Sequence, residues 1–212
     1  MQRLTDSVPL QFVTITETEP TYEPVTVNEA KNYLKVDDST DDALIAQLIK
    51  ASRKLIETQA ALTFHRRTIT QKQTGGLETL DALRQPIHAV TSITYAKDFD
   101  STYETLDATV YRYAGNRFFH EGGRFVEGRP ADGYVITYTA GMVADATPST
   151  LNSDMKTAIL RIAAFLYENR QEYAQSWNEQ GFSIDYKSEG IALLKGIINK
   201  LVNPYASAKG IF

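Results

Sequence analysis

The chain has 212 residues, 42% of them hydrophobic and 23% charged, which suits one large domain or a small domain carrying an insertion. Lys and Arg number 22 against 26 Asp and Glu, so the formal charge is 22 − 26 = −4, and this mild acidity argues against a dedicated DNA- or RNA-binding domain. With no cysteine, disulfides, thiolate zinc sites and cysteine nucleophiles are excluded.

The opening "MQRLTDSVPLQF" lacks an apolar run long enough for a signal peptide, and charges interrupt each later candidate for a membrane span. A cytoplasmic product with no membrane contact is expected. Residues 1–24 are expected to form an extended arm, because "TITETEPTYEP" alternates Thr and Glu between prolines. Such an arm would add a strand to a neighbour's sheet or remain disordered.

At "PVTVNEAKNYL" the character changes. Thr26 followed by Glu29 is a capping box, in which each side chain satisfies an orphan backbone donor, and a short helix to about Lys35 follows. The acidic run "VDDSTDDALI" then opens a second helix, with Asp38 or Ser39 as its cap and carboxylates where the helix dipole favours them. Asp37, Ser39 and Asp41 imitate half a calcium loop, but Asp42 stands where glycine is required and Leu48 where the closing Glu should be, so no calcium site is expected. The second helix runs through "ALIAQLIKASRKLIETQAAL". Its apolar stripe is Ile45, Leu48, Ile49, Ser52, Leu55 and Ile56, with Lys50, Arg53, Lys54 and Glu57 placed largely outside it.

From about Thr63 to Gly141 the period becomes alternating. "RRTITQKQT", "VTSITYAKD", "ATVYRYAG", "GRFVEG" and "YVITYTAG" predict about five or six short strands in an antiparallel sheet, sandwich or partial barrel. Pro86 bars a central strand across "LRQPIHAV", and "GNRFFHEGGRFVEG" reads as hairpin turns. A third helix is expected after "GMVADATPST", near Pro148 with Ser149 or Thr150 as cap, continuing to about Glu172. After an aromatic loop, "IALLKGIINKLVN" forms a last amphipathic helix carrying Ile191, Leu194, Ile197, Ile198 and Leu201 on one face, and Pro204 stops it. The tail ends in Ile211 and Phe212, two hydrophobes that bury nothing unless a partner covers them.

Helices, a β block, then helices again predict an α+β fold: a helical bundle with an inserted antiparallel β domain. The expected division is an arm at 1–24, a helical bundle from 25–62 and 148–203, a β-rich insertion at 63–147 and a tail at 204–212.

Chemistry is sparse. His65, His88 and His120 lack paired ligand spacing and are expected at the surface or partly buried, so no metal is expected. No nucleophile elbow, phosphate-cradling glycine loop or His-Glu-x-x-His motif is present, so neither a cofactor nor a catalytic residue is expected. Phe64 to Arg67 form a small basic and aromatic cluster, read as basic residues at a helix C-terminus. Glu168, Asn169 and Arg170 mark the polar end of the third helix, whose Ile159, Ile162, Ala163 and Leu166 should bury against Ile45, Leu48 and Leu55.

Three stretches in succession carry a family likeness. "PVTVNEAKNYLKVDDSTDDALIAQLIKASRKLIE", "QPIHAVTSITY" and "YVITYTAGMVADATPSTLNSDMKTAILRIAAFLYENRQE" together resemble the head–tail connector (adaptor) family of long-tailed bacteriophages and gene transfer agents, from about Pro24 to Glu172. The arm is longer than in that pattern, and Ala206 follows Pro204-Tyr205 where a basic residue often stands. The resemblance implies a structural virion protein rather than an enzyme, located at the head–tail junction after assembly in the host cytoplasm. It implies a ring, expected to be dodecameric, beneath the portal protein and presenting a platform to the next neck protein. DNA would pass through without specific binding. By the same likeness, Pro204, Tyr205, Ile211 and Phe212 would bind the portal, while Glu168, Asn169 and Arg170 would orient the bundle or pair with a neighbouring subunit. The alternatives are a head-completion (stopper) or tail-terminator protein of the same neck, and, further off, a glycan-binding module or enzyme using the β insertion.

Overall fold

The computed structural model describes residues 13–74, 78–97, 102–126 and 132–169, together with 192, 195–197, 199 and 200. The protein contains both helices and antiparallel sheets, and it divides into two compact units. One unit takes the chain up to Thr18, then Thr68–Leu83 and Ile87–Ala140; the other takes Glu19–Arg67, Arg84–Pro86 and the chain from Gly141 onward.

The helical unit is built on α1 (Val27–Leu34), α2 (Asp42–Ala60) and α3 (Ser153–Glu168). α1 starts with the Thr26 side chain accepting from the Glu29 N–H at 3.1 Å while the Glu29 carboxylate accepts from the Thr26 N–H at 2.7 Å. α1 and α2 both end in a left-handed non-glycine residue, Lys35 (φ 57) and Ala61 (φ 53), so neither stop carries a glycine signal. Ile45, Ile49, Ile56, Met155, Ala158, Ile159 and Ile162 form one buried cluster, joined by Ile197 from the last segment. Leu55 and Leu166 pack on it half-buried, whereas Leu48, placed in the apolar stripe, is only half-buried and stands outside the cluster.

Two helix starts differ from expectation. α2 begins at Asp42, one turn later than a cap at Asp38 or Ser39 allows; Asp38 instead closes a turn by accepting from the Thr40 N–H at 2.9 Å, and the Ser39 carbonyl takes the Asp42 N–H at 3.3 Å. The N-cap position is Asp41, whose carboxylate accepts from the Tyr167 hydroxyl. α3 begins at Ser153 rather than near Pro148, with the Asn152 side chain accepting from the Asp154 N–H at 2.7 Å. Ser149 does accept from the Leu151 N–H at 3.2 Å, but residues 149–152 are not helical, so the bond closes a turn ahead of the helix rather than capping it.

The β unit contains a five-stranded sheet in the order β1-β2-β8-β4-β5 and a three-stranded sheet β3-β7-β6. The strands are β1 (Val13–Glu17), β2 (Arg67–Gln73), β3 (Thr79–Asp81), β4 (Ile87–Tyr95), β5 (Glu104–Thr105), β6 (Tyr111–Ala114), β7 (Arg117–His120) and β8 (Tyr134–Ala140). β1 pairs antiparallel with β2, Ile15 opposite Gln71, so this part of the arm joins its own chain's sheet rather than a neighbour's. β4 and β8 pair with Ile93 opposite Ile136, and their alternation puts Ile93, Tyr134, Ile136 and Tyr138 into the core.

The described part of "GRFVEG", residues 123–126, forms no strand, and the strand lies instead in "NRFFHEGG", read as turns. β7 pairs with β6 (Tyr113 opposite Phe118), and Phe125 serves as a buried plug, edge-on to the rings of His120 at 5.4 Å and Tyr134 at 5.6 Å. Aromatic spacing alone did not distinguish the paired segment from the plug.

Candidate functional site

Among the described residues, polar side chains converge in the interior of the helical unit. Ile49, Arg53, Ile56 and Ala60 recur at helical spacing along α2, so Arg53 lies within the apolar face rather than outside it, and Glu57 falls one turn further on. Both side chains are 1% exposed, contrary to the expectation that they flank the stripe.

The Glu57 carboxylate is saturated. Its Oε1 accepts from the Phe64 N–H at 2.7 Å and Arg67 Nη1 at 3.0 Å, and its Oε2 from Arg53 Nη1 at 2.8 Å and Arg67 Nη2 at 2.9 Å. Arg53 turns its remaining donors to the segment ahead of α1: Nε donates to Glu23 at 2.7 Å, and Nη2 to Glu23 and Glu19 at 3.1 Å each. Burial opposes the Arg53 charge, but the Glu23 hydrogen bonds and the charges of Glu57 and Glu23 outweigh it and hold the guanidinium above its ordinary range. At the surface, the Lys54 hydrogen bond pulls Glu19 down to about 2, helped by Arg53 and the charge of Lys50.

A second node holds the same segment. Asp145 accepts from the N–H groups of Thr21 at 2.7 Å and Tyr22 at 3.1 Å. The Tyr22 carbonyl lies 2.8 Å from His65 Nδ1 and can only accept, so Nδ1 carries the proton. Nε2 then accepts from the Ser149 hydroxyl at 2.7 Å, while Ser149 Oγ accepts from the Leu151 N–H at 3.2 Å. His65 is fully buried, not at the surface or partly buried as expected. Ser149, His65 and Asp145 superficially resemble a hydrolytic triad, but Asp145 and His65 Nδ1 are engaged by the backbone of Thr21 and Tyr22, and Ser149 Oγ by the Leu151 N–H.

Gly141 explains the glycine of the "YTAG" motif. Its φ is +152°, and a Cβ there would stand 2.4 Å from the Arg66 backbone, because residues 141–143 lie against 63–66 (Met142 N–H to the Thr63 carbonyl, 3.0 Å).

The remaining candidates are scattered. Glu168 is exposed; Asn169 ends α3, its side chain donating to the Phe165 carbonyl at 2.7 Å; Arg170 lies outside the described residues. Pro204, Tyr205, Ile211 and Phe212 also lie outside them. His88 is exposed, and His120 Nδ1 accepts from the Gly122 N–H at 2.9 Å. Among the described residues no group of three His, Asp or Glu is placed to hold a metal, and no helix is long and apolar enough to cross a membrane.

The fold and this network define an α+β protein whose buried polar groups bind segments of the chain to one another. The family model of the head completion proteins matches residues 23–206, and the chain belongs to that family. Solved structures share its fold. Chains of the neck of an empty gene transfer agent particle (sixfold symmetry) and of the native particle (twelvefold symmetry) match with TM-scores of 0.64 and 0.60 at 17% and 18% identity, each comparison covering 89% of this chain and 94% of the other. A chain of the virion of the native particle matches at 0.60 and 21% identity, over 86% of this chain and 93% of that one. No curated protein matches the chain.

Proposed function

We propose that this chain is a structural, non-catalytic subunit of the neck of a phage or gene-transfer-agent particle. The observation that carries the reading is the extent of the likeness: the family match spans 23–206, and the neck fold covers 89% of the chain. The finer reading is an adaptor that forms a ring, expected to be dodecameric, beneath the portal and lines the DNA conduit inside the virion, after assembly in the host cytoplasm. Net charge of −4 supports free passage of DNA, since phosphate binding strengthens with each cationic contact. In this reading α1, α2, α3 and the helical segment around Ile197 are the bundle, residues 63–147 are the insertion, and Pro204, Tyr205, Ile211 and Phe212 engage the portal. Glu168 and Arg170 pair with a neighbouring subunit, whereas Asn169 is occupied in ending its own helix.

The second reading, a head-completion or stopper protein seated on an adaptor, is favoured by the family's own description. Mixing the full chain with its cognate portal separates the two. A stable co-migrating complex, lost on deletion of residues 204–212 while the helical circular dichroism persists, supports the adaptor and its tail. Binding only to a portal already carrying another neck protein supports the stopper. A truncated chain that still binds the portal normally removes the tail from the interface.

A further inference from the structure

The five-stranded sheet has the order β1-β2-β8-β4-β5, and its two edges differ. At one edge β4 carries irregularities of register between Ile87 and Ala89 and between Val90 and Ser92, and β5 covers Thr94 and Tyr95. A broken register and a covering strand both blunt an edge. At the other edge β1 runs from Val13 to Glu17 against β2 in unbroken register, without proline or lysine, and its only charge is the terminal Glu17. No strand pairs with the outer side of β1 among the described residues.

The hydrogen-bond phase of β1 follows from its pairing. Thr18 donates its N–H to the Thr68 carbonyl at 3.1 Å, so by alternation Thr18, Thr16 and Thr14 are the residues that exchange main-chain bonds with β2. Val13 and Ile15 then direct their N–H and C=O groups away from the sheet. The Ile15 side chain packs half-buried against the β core, while Thr14 and Thr16 are exposed on the opposite face.

A second β1 is self-complementary to this edge. Laid antiparallel about a two-fold axis at Ile15, each strand offers the other's Ile15 an N–H and a C=O in register. Directly opposite residues share a face, so the two Ile15 side chains meet on the core side and each covers what the other leaves exposed. Thr14 falls opposite Thr16 of the second copy on the outer face, a hydroxyl pair that stabilises adjacent strands. Glu17 falls opposite position 13 rather than opposite another Glu17, so no like charges meet.

We infer that free subunits dimerise by antiparallel addition of β1 to β1 of a second copy, joining their two five-stranded sheets edge to edge. Main-chain bonds supply the affinity, and the Ile15 and Thr14–Thr16 pairs supply the register. A two-fold contact closes on itself, so it is a state of the free subunit and not the contact that builds a ring. It stands or falls separately from the neck reading.

The absence of cysteine makes the test direct. Full-length Thr14→Cys and Thr16→Cys subunits, both substituted on the exposed face, are mixed and oxidised. The mixed 14–16 disulfide is expected to dominate, because those positions are directly opposite, whereas 14–14 and 16–16 pairs lie on diagonals. Light scattering on the unsubstituted chain should show the mass doubling as concentration rises to about 1 mM. Thr14→Glu/Thr16→Glu should weaken the dimer roughly tenfold relative to Thr14→Glu/Thr16→Lys, in which opposite charges face each other across the axis. The disulfide readout stands even if a charge variant misfolds. A monomer throughout that range, 14–14 and 16–16 disulfides together matching the mixed one, or equal dimerisation of two folded charge variants overturns the inference.

Discussion

The two units bury polar groups by opposite means. The helical unit encloses full charges: Arg53, Glu57 and Arg67, with His65 nearby. The β unit encloses neutral amides among rings. Gln71 Nε2 donates to the Asp81 carbonyl and Gln73 Oε1, both at 2.6 Å, and its Oε1 accepts from the Leu83 N–H at 2.9 Å and the Tyr138 hydroxyl at 3.2 Å, beside the edge-on pair Phe118–Tyr138 at 6.2 Å. Charges reach several segments at once and fix which segment lies where; amides and rings set volume and register. The first design fails abruptly when one member is lost, and the second degrades gradually.

The largest effect should come from Glu57→Ala. It removes the carboxylate that Arg53, Arg67 and the Phe64 N–H share, leaving Arg53 only Glu23 and Glu19, so a loss of about 3–5 kcal/mol in urea unfolding is expected. Replacing the triad together with Met at 53, Leu at 57 and Met at 67 should be milder than Glu57→Ala, because no buried charge remains unpaired and only the Phe64 N–H loses its acceptor. If the triple variant is as damaged as Glu57→Ala, packing rather than charge governs this interior. Next comes Gly141→Ala: the left-handed φ alone costs about 1–3 kcal/mol, and the 2.4 Å approach to Arg66 adds to it. Calorimetry should show a clearly lowered Tm. In the β unit, Tyr138→Phe should cost about 0.5–1.5 kcal/mol, since Gln71 Oε1 keeps its bond to the Leu83 N–H. A loss matching that of Glu57→Ala would erase the contrast between the units.

The elements with strong local signals were legible in the sequence. The capping box at Thr26 and Glu29, the α2 stripe around Ile45, Ile49 and Ile56, and the alternation in β2, β4 and β8 follow from residue chemistry within a few positions. The interior network was not legible, because Arg53 is neutral evidence until its partners are known. Its distant partners, Glu19 and Glu23, lie 34 and 30 residues away, and Arg67, which shares the Glu57 carboxylate with it, lies 14 away, a relation that only tertiary structure creates. The strap carrying Glu19 and Glu23 has an extended, proline-broken sequence that resembles a free arm. Lys35 and Ala61 end helices without glycine, so the late start of α2 was masked by carboxylates that would equally suit a cap.

The smallest expected effect tests the outer rim of the ionic network. Glu19 is half exposed, and its folded pKa of about 2 lies below the ordinary 4.5, chiefly through the Lys54 hydrogen bond. A depressed carboxylate pKa means that the folded state binds its proton less readily than the unfolded chain. Its stabilisation is therefore complete above about 4.5 and is lost as pH falls toward about 2. Solvent screens this pair, so the contribution should stay under about 1 kcal/mol and shrink further in about 1 M salt. Urea midpoints across that window should fall more steeply for the parent chain than for Glu19→Gln, with the two curves converging at high salt. Asp145 and Glu29 also titrate below their ordinary values, so part of the acid loss persists in the variant; only the difference between the curves reports Glu19. Parallel curves at low salt would mean that the strap is held by Glu23 and Asp145 without help from Glu19, which would confine the ionic design to the buried interior.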